Sequence, residues 1–299
     1  MWLFLSFASA FFLGWYDVFK KISLKENAVI PVLFLNVLTC CLIFLPLLVV
    51  SHVAPHILSG TLFEMPAVPL KQHGYLLLKA CIVLTSWLFT YFSMKHLPIT
   101  ITGPIKASQP IFTLLGALCI YGERLNFYQW VGVLLALCSF YMISLAGKKE
   151  GLSFAHNRWV FFIFMAVITG AVSGLYDKFL MTRFDKMTVQ VWYNYYQLLL
   201  MALIMAFLWY PTRHKTTPFH WNWTIPMVAV TLTIADFLYF YALTDSASMI
   251  AIVSMIRRSS VVVSFIAGVI LLRERNIKTK LVDLFLVLLG MFFIYLGSK

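Results

Sequence analysis

The stretch "GWYDVF" at residues 14–19 recurs as "GLYDKF" at residues 174–179, 160 positions later. A second pair follows in the same order, "YGERL" at 121–125 and "LRERN" at 272–276, in which Glu123 and Glu274 stand 151 positions apart. One short match can arise by chance, but two matches in the same order are hard to explain that way. The sequence therefore predicts a chain of two related halves.

The composition places these halves in a membrane. The chain has 299 residues, of which 62% are hydrophobic and only 11% charged, and its mean hydropathy is +0.88. A soluble domain carries about 25% charged residues. Windows of about 20 mostly apolar residues, the length that crosses a bilayer, cover residues 2–22, 29–51, 75–94, 99–121, 128–146, 159–181, 189–210, 224–244, 248–272 and 279–297.

These long runs predict an all-α integral membrane protein with ten transmembrane helices, because a membrane β-barrel shows short alternating segments instead. We expect a first five-helix repeat over residues 1–147, a connecting loop over 148–158 and a second five-helix repeat over 159–299. Each half has an odd number of spans, so the second half enters the membrane from the opposite side. Such inverted repeats are typical of secondary transporters, whose substrate sites lie near mid-membrane.

The sequence also disfavours a nucleic-acid-binding protein, a metalloprotein and an enzyme. The net charge is +12, but its basic residues are scattered, which favours lipid headgroups over nucleic acid as partners. The five cysteines lie in apolar runs without C-x-x-C spacing, and Pro55 separates His52 from His56, so we predict no metal and no cofactor. No nucleophile–base pair or metal-ligand cluster lies in a span, and we therefore predict that the protein is not an enzyme.

Lysine and arginine in the connections favour one orientation by 13 to 7, with both termini outside. We expect a multi-pass protein of the cell membrane, which is the inner membrane if the source is bacterial. The oligomeric state is predicted as monomer or homodimer.

One segment resembles a known family. The stretch "HLPITITGPIKASQPIFTLLGALCIYGERLNFYQWVGVLLALCSFYMIS" (96–144) resembles the end of an EamA-type repeat of the drug/metabolite transporter superfamily, with a Pro-kinked helix, "GER", a turn and "QW-G". "LGWYDVFKKISL" (13–24) is similar to the first span of such a repeat, with Gly14 and Lys21 in place. The resemblance implies a ten-helix bundle that moves small metabolites by alternating access, driven by a gradient or by exchange.

The superfamily carries amino acids, nucleotide sugars, sugar phosphates and drugs, so the resemblance leaves the substrate open. This chain departs from the pattern where residues 52–74 lack the usual basic residues, where Arg273 replaces the glycine of "GER" and where Met181 stands in place of a second lysine. The family pattern puts both termini in the cytoplasm, against the charge count, and the sequence does not decide between them.

Four ionisable residues lie deep within the predicted spans: Lys106, Asp236, Arg257 and Arg258. Such residues are costly in a membrane and mark functional sites. Lys106 plus the repeat shift of 151 gives Arg257, so we expect these two to face each other across a central cavity, with Arg258 beside them. Three cations suit an anionic ligand, whose oxygens match the fork of donors on arginine.

Neighbouring polar residues fit this role, namely Ser108, Gln109, Ser259 and Ser260, and Pro104 and Pro110 interrupt the fourth span. A lysine in the fourth span with a basic dipeptide in the ninth is also similar to the phosphate-binding constellation of the plastid sugar-phosphate translocators, in which the dipeptide is Lys-Arg. A purely structural interpretation stays open. Asp236 would then neutralise Arg257 or Arg258 as an ion pair, or hold an arginine until substrate displaces it, or bind a coupling proton.

The wider predicted lining consists of Tyr16, Tyr176, Asn36, Trp87, Tyr91, Asn194, Gln197 and Tyr241, with Asp17 and Asp177 as gate or capping residues. The sequence predicts a secondary active transporter of a small polar metabolite, in particular an organic anion, with a proton or a counter-substrate as a further partner. The alternatives are an exporter of amino acids or similar amphipathic metabolites, and a lipid-phosphate flippase, which a lateral opening in the bundle would distinguish.

Overall fold

The computed structural model describes residues 2–61, 63–109, 111–113, 115–116, 126–149, 156–180, 183–243, 256–274 and 277–297. All regular secondary structure in these ranges is helical, which confirms the predicted fold class. The principal helices are α1 (Trp2–Ser23), α2 (Val29–Val53), α3 (His73–His96), α4 (Ile99–Ala107), α5 (Phe127–Lys149), α6 (Arg158–Leu180), α7 (Lys186–Ile204), α8 (Thr224–Leu243), α9 (Ser260–Ile270) and α10 (Ile277–Gly297). A short helix, Pro55–Leu58, follows α2, and a π-helical turn, Met205–Trp209, continues α7.

Six segments of the described chain are long and apolar enough to cross a membrane: Trp2–Ser23, Val29–Val53, Leu70–His96, Arg158–Asp177, Met187–Thr212 and Ile277–Gly297. Two shorter apolar stretches, Phe127–Ser139 and Thr224–Tyr239, lie where further spans were expected. The predicted spans at 99–121 and 248–272 run into residues outside the described ranges. The number of ten spans therefore stays a prediction, as do the repeat boundaries, since most of the 148–158 loop also lies outside those ranges.

Helices of the first half pack against helices of the second half in equivalent pairs. The first span of each half packs on the third span of the other, in the pairs α1–α8 and α6–α3, and on the fourth, in the pairs α1–α9 and α6–α4. The second, fourth and fifth spans pack on their own counterparts, in the pairs α2–α7, α4–α9 and α5–α10. Exchanging the halves leaves these pairings unchanged, which fits an inverted repeat.

Glycines allow two of these contacts to be close. A Cβ at Gly14 of α1 would lie 2.5 Å from Val263 Cβ and 2.9 Å from the Ser260 carbonyl oxygen of α9. A Cβ at Gly132 of α5 would lie 2.7 Å from the Gly290 carbonyl oxygen of α10. The pairs α1–α9 and α5–α10 therefore approach to backbone contact at these glycines, as small residues permit in membrane bundles.

One end of the bundle is closed by side chains that cap helix termini. Glu274, from the second half, accepts the backbone N–H groups of Ile99 at 2.6 Å and Thr100 at 3.0 Å, together with the Thr100 hydroxyl, and so caps the start of α4. Lys21 donates to the carbonyl oxygens of Met94 and Leu97, both at 2.5 Å, where α3 ends. Glu274 of "LRERN" thus binds the start of α4, and Lys21, two residues after "GWYDVF", binds the neighbouring end of α3. Glu123 lies outside the described residues.

Candidate functional site

A cavity of about 120 Å³ lies inside the bundle between α1, α3, α4 and α6. Its wall combines aromatic rings, hydroxyls, an amide and two lysines, contributed by Tyr16, Lys20, Ser86, Trp87, Thr90, Tyr91, Lys106, Gln109, Ala166 and Val167. Gln109 fits there because its side chain lies over Gly170 of α6, where a Cβ would approach it to 3.1 Å. This cavity therefore brings aromatic rings together with convergent polar and cationic groups.

Two lysines at this cavity share one carboxylate. Asp17 Oδ1 accepts from Lys106 Nζ at 2.8 Å and from Lys20 Nζ at 3.0 Å. The Lys20 side chain is only 1% exposed, and its ammonium group lies 3.7 Å from the centre of the Tyr16 ring, in a cation–π contact. With both lysines and the aspartate charged, this cluster carries one net positive charge beside the cavity.

The second cluster of charges joins α8 to the start of α9. Arg257 donates to Asp236 Oδ1, and its guanidinium carbon lies 4.4 Å from the centre of the Tyr239 ring. Arg258 follows Arg257 in the chain, and among the described residues it has no carboxylate partner. Arg257 is thus neutralised by Asp236, whereas Arg258 adds a further positive charge.

The predicted site residues fall into two groups. Tyr16, Trp87, Lys106 and Gln109 line the cavity together. The cavity wall does not include the other predicted site residues, which are Arg257, Arg258, Ser259, Asn194 and Tyr176. Ser259 Oγ donates to the Ile256 carbonyl at 2.6 Å, Asn194 Nδ2 to the Gln190 carbonyl at 2.7 Å, and the Tyr176 hydroxyl to the Tyr75 carbonyl at 3.2 Å.

Of the wider predicted lining, Tyr91 lines the cavity, while Asn36 and Gln197 are fully buried elsewhere in the core. Within the described ranges, the side-chain nitrogen and oxygen of both amides have no hydrogen-bond partner. Pro110 lies outside the described residues.

Sequence reasoning gave too little weight to charged residues near span ends. Lys20 and Asp17 have the i, i+3 spacing of a helical ion pair, which was the available signal. Lys79 Nζ lies 2.6 Å from Asp177 Oδ1 and 2.6 Å from Ser173 Oγ, and so joins the first half to the second. Asp283 is fully buried and accepts a hydrogen bond from Ser139 of α5, a contact that no motif indicated.

A larger cavity, about 670 Å³, lies outside the helix core beside the segment that links α2 to α3. Its lining includes His52, His56, His73, Glu64 and Trp192. In the part of the chain that the structure describes, no three or more histidine, cysteine, aspartate or glutamate side chains are arranged to hold a metal ion.

Comparison with known proteins gives a family and a fold. The model of the EamA-like transporter family matches residues 1–145 and 157–296. No curated protein matches the chain. Chains of solved structures do match, 24 in all, and one crystal structure aligns with 99% of this chain and 96% of its own at a TM-score of 0.62 and 16% sequence identity. At that identity the likeness concerns the fold alone.

Proposed function

The chain belongs to the EamA-like transporter family of membrane transporters, and we propose that it is a secondary active transporter that moves a small organic anion by alternating access. The family match bears out the resemblance of residues 13–24 and 96–144. The substrate class, the mechanism and a location in the cell membrane are our proposal.

The observation that carries the proposal is the excess of positive charge around the buried cavity. Lys20 and Lys106 share Asp17, so the cluster holds one cation more than it has anions. Arg258 adds another positive charge next to Arg257 in the chain, without a carboxylate partner among the described residues. Because an uncompensated buried charge is costly in a membrane, a bound anion would stabilise this arrangement more than a neutral or cationic solute.

The geometry also indicates how each group would act. Lys106 on α4 has the more exposed side chain of the two lysines, 26% against 1% for Lys20, so it is placed to meet the anion. Lys20 stays against Tyr16 and Asp17 and keeps the local charge positive. Trp87 and Tyr91 would flank the anionic head of the solute beside Lys106. Asp236 would hold Arg257 until substrate displaces it or a coupling proton binds.

A transport assay tests the proposal directly. Purified protein in proteoliposomes would be offered labelled glycerol 3-phosphate, succinate, glucose and choline, with and without an imposed proton gradient. We expect uptake or exchange of at least one of the two anions, and a fall of at least tenfold for Lys106→Gln. Lys71→Gln, which removes an exposed lysine at the start of the α3 segment, is the matched control. Transport of choline or glucose alone, or equal rates for both variants, would overturn the anion assignment.

A further inference from the structure

A second opening lies between α2, α7 and α8. It is a cleft of about 340 Å³, lined by Ile43, Phe44, Pro46, Leu47, Val50, Leu58, Phe63, Met187, Gln190, Thr233 and Phe237. Ile43 is 38% exposed and Phe237 43% exposed, so the cleft reaches the outer surface of the bundle. In a membrane that surface meets lipid, and the cleft is therefore a lateral opening.

The sequence explains why α2 leaves room here. Pro46 lies inside α2 and lines the cleft. Proline lacks the N–H that would bond the carbonyl four residues earlier, and its ring crowds that carbonyl, so the helix cannot pack as a regular rod. Phe63, from the segment after α2, stacks on Phe237 with ring centres 5.5 Å apart and planes 9° apart, and forms an aromatic wall at the mouth.

The inner end of the cleft is polar. Gln190 is 8% exposed, and its Nε2 lies 3.5 Å from Asp236 Oδ2, while Asp236 Oδ1 holds Arg257. The other amide atom, Gln190 Oε1, is buried and has no hydrogen-bond partner among the residues that the structure describes. The cleft thus has long apolar walls that end beside an unused acceptor and the Asp236–Arg257 ion pair.

We propose that this cleft binds the apolar group of the transported solute, which is an amphipathic organic anion. Its hydrocarbon chain or ring lies between α2 and α8, and its acidic head passes Gln190 and replaces Asp236 as the partner of Arg257. A hydroxyl or amine hydrogen on the head group would satisfy Gln190 Oε1. The volume falls within the usual range of ligand pockets, about 300–1,000 Å³. This inference deepens the proposed function and rests on it, because it assigns an apolar part to the same anion.

The occupant is tested by photolabelling. Protein in lipid nanodiscs would be irradiated with decanoic acid that carries a terminal diazirine, and in parallel with a decyl-trimethylammonium probe of the same chain length and diazirine. We expect the acid to label residues 43–50 and 233–237, at least fivefold more than the ammonium probe does. Equal labelling by both probes, or labels spread over the lipid-facing surface, would show that the cleft holds only bulk lipid and would overturn the assignment.

Filling the cleft gives the second test. Thr233→Phe places a ring in the cleft, whereas Ile234→Phe adds similar bulk at the next, lipid-facing position of α8 and is the matched control. We expect Thr233→Phe to weaken decanoate binding at least tenfold relative to parent in the same nanodiscs, and Ile234→Phe to change it less than twofold. If Thr233→Phe does not fold, Val50→Trp fills the cleft from α2. Unchanged binding in both filled variants would overturn the inference.

The two proposals fail in different ways. If Lys106→Gln abolishes succinate transport while filled variants bind decanoate normally, the anion transporter stands and the cleft assignment falls. If filled variants lose decanoate while the parent protein transports no anion, the cleft is a binding site but the proposed function falls.

Discussion

Asp17 and Asp177 stand at equivalent positions of the same repeated motif, but they hold different partners. Asp17 is 13% exposed on its side chain and accepts from Lys20 and Lys106, both of its own half. Asp177 is 40% exposed and accepts from Lys79 of the other half. One copy of the motif thus builds the wall of a cavity, whereas the other joins the two halves.

The sequence difference behind this is small. Lys20 of the first copy corresponds to Leu180 of the second. The first copy therefore has an ammonium group against its tyrosine, Tyr16, and the second copy has no cation at the matching position. Gly14 is pressed against α9, whereas a Cβ at Gly174 would meet nothing within 4 Å. Tyr16 is buried at the cavity, while Tyr176 bonds the Tyr75 carbonyl at the bundle surface. A repeat can therefore keep its backbone pairing while its side chains take on separate tasks.

The largest difference is expected on removing each carboxylate. Asp17→Asn leaves Lys20 and Lys106 buried without a counter-charge and should lower the free energy of unfolding by about 3–5 kcal/mol. Asp177→Asn should cost less, about 1–2 kcal/mol, because Asp177 is 40% exposed and the single buried cation that it leaves, Lys79, keeps its bond to Ser173. Thermal and denaturant unfolding in one detergent would compare them. Equal losses would mean that the two motif copies are energetically alike.

The glycines give the next largest contrast. Gly14→Ala drives a methyl group into Val263 and the Ser260 carbonyl, and should destabilise the protein by about 1–3 kcal/mol. Gly174→Ala meets open space and should be neutral or stabilising by up to about 1 kcal/mol through helix propensity. The same unfolding measurements apply, and a stable Gly14→Ala protein would contradict the close α1–α9 contact.

Lys20→Leu gives the first motif the residue of the second. It leaves Asp17 paired with Lys106 alone, so the cavity loses its excess charge, and anion affinity should fall about tenfold, or about 1.4 kcal/mol. Lys25→Leu, at an exposed lysine beyond α1, is the control. Binding of labelled succinate or glycerol 3-phosphate measures the change. Full affinity in Lys20→Leu would place the anion away from Asp17.

The smallest effect is expected at Tyr176. Tyr176→Phe removes one hydrogen bond at the surface and should cost about 0.5 kcal/mol without changing transport. Tyr16→Leu removes the ring beneath Lys20 and should lower anion affinity severalfold. A transport defect in Tyr176→Phe would restore Tyr176 to the substrate path, where the sequence had predicted it.

The helices and the repeat were predictable because apolar runs and recurring motifs are local features of a sequence. The position of Lys106 in a buried site also followed from its cost in a membrane. Its partner did not follow, because Asp17 lies 89 positions away and only the packing of α1 near α4 brings the two together. Asp283 and Lys79 were missed for a related reason, since protein covers span ends that a linear reading assigns to the interface.

The cap on α4 has a mechanical consequence. Glu274 belongs to the junction between α9 and α10, yet it grips the first two amides of a helix from the opposite half. If α4 tilts, the α9–α10 junction must therefore move with it, or the three hydrogen bonds that Glu274 accepts from Ile99 and Thr100 must break. Lys106 lies on this same helix, so any movement of Lys106 with α4 is coupled to the second half of the molecule through Glu274.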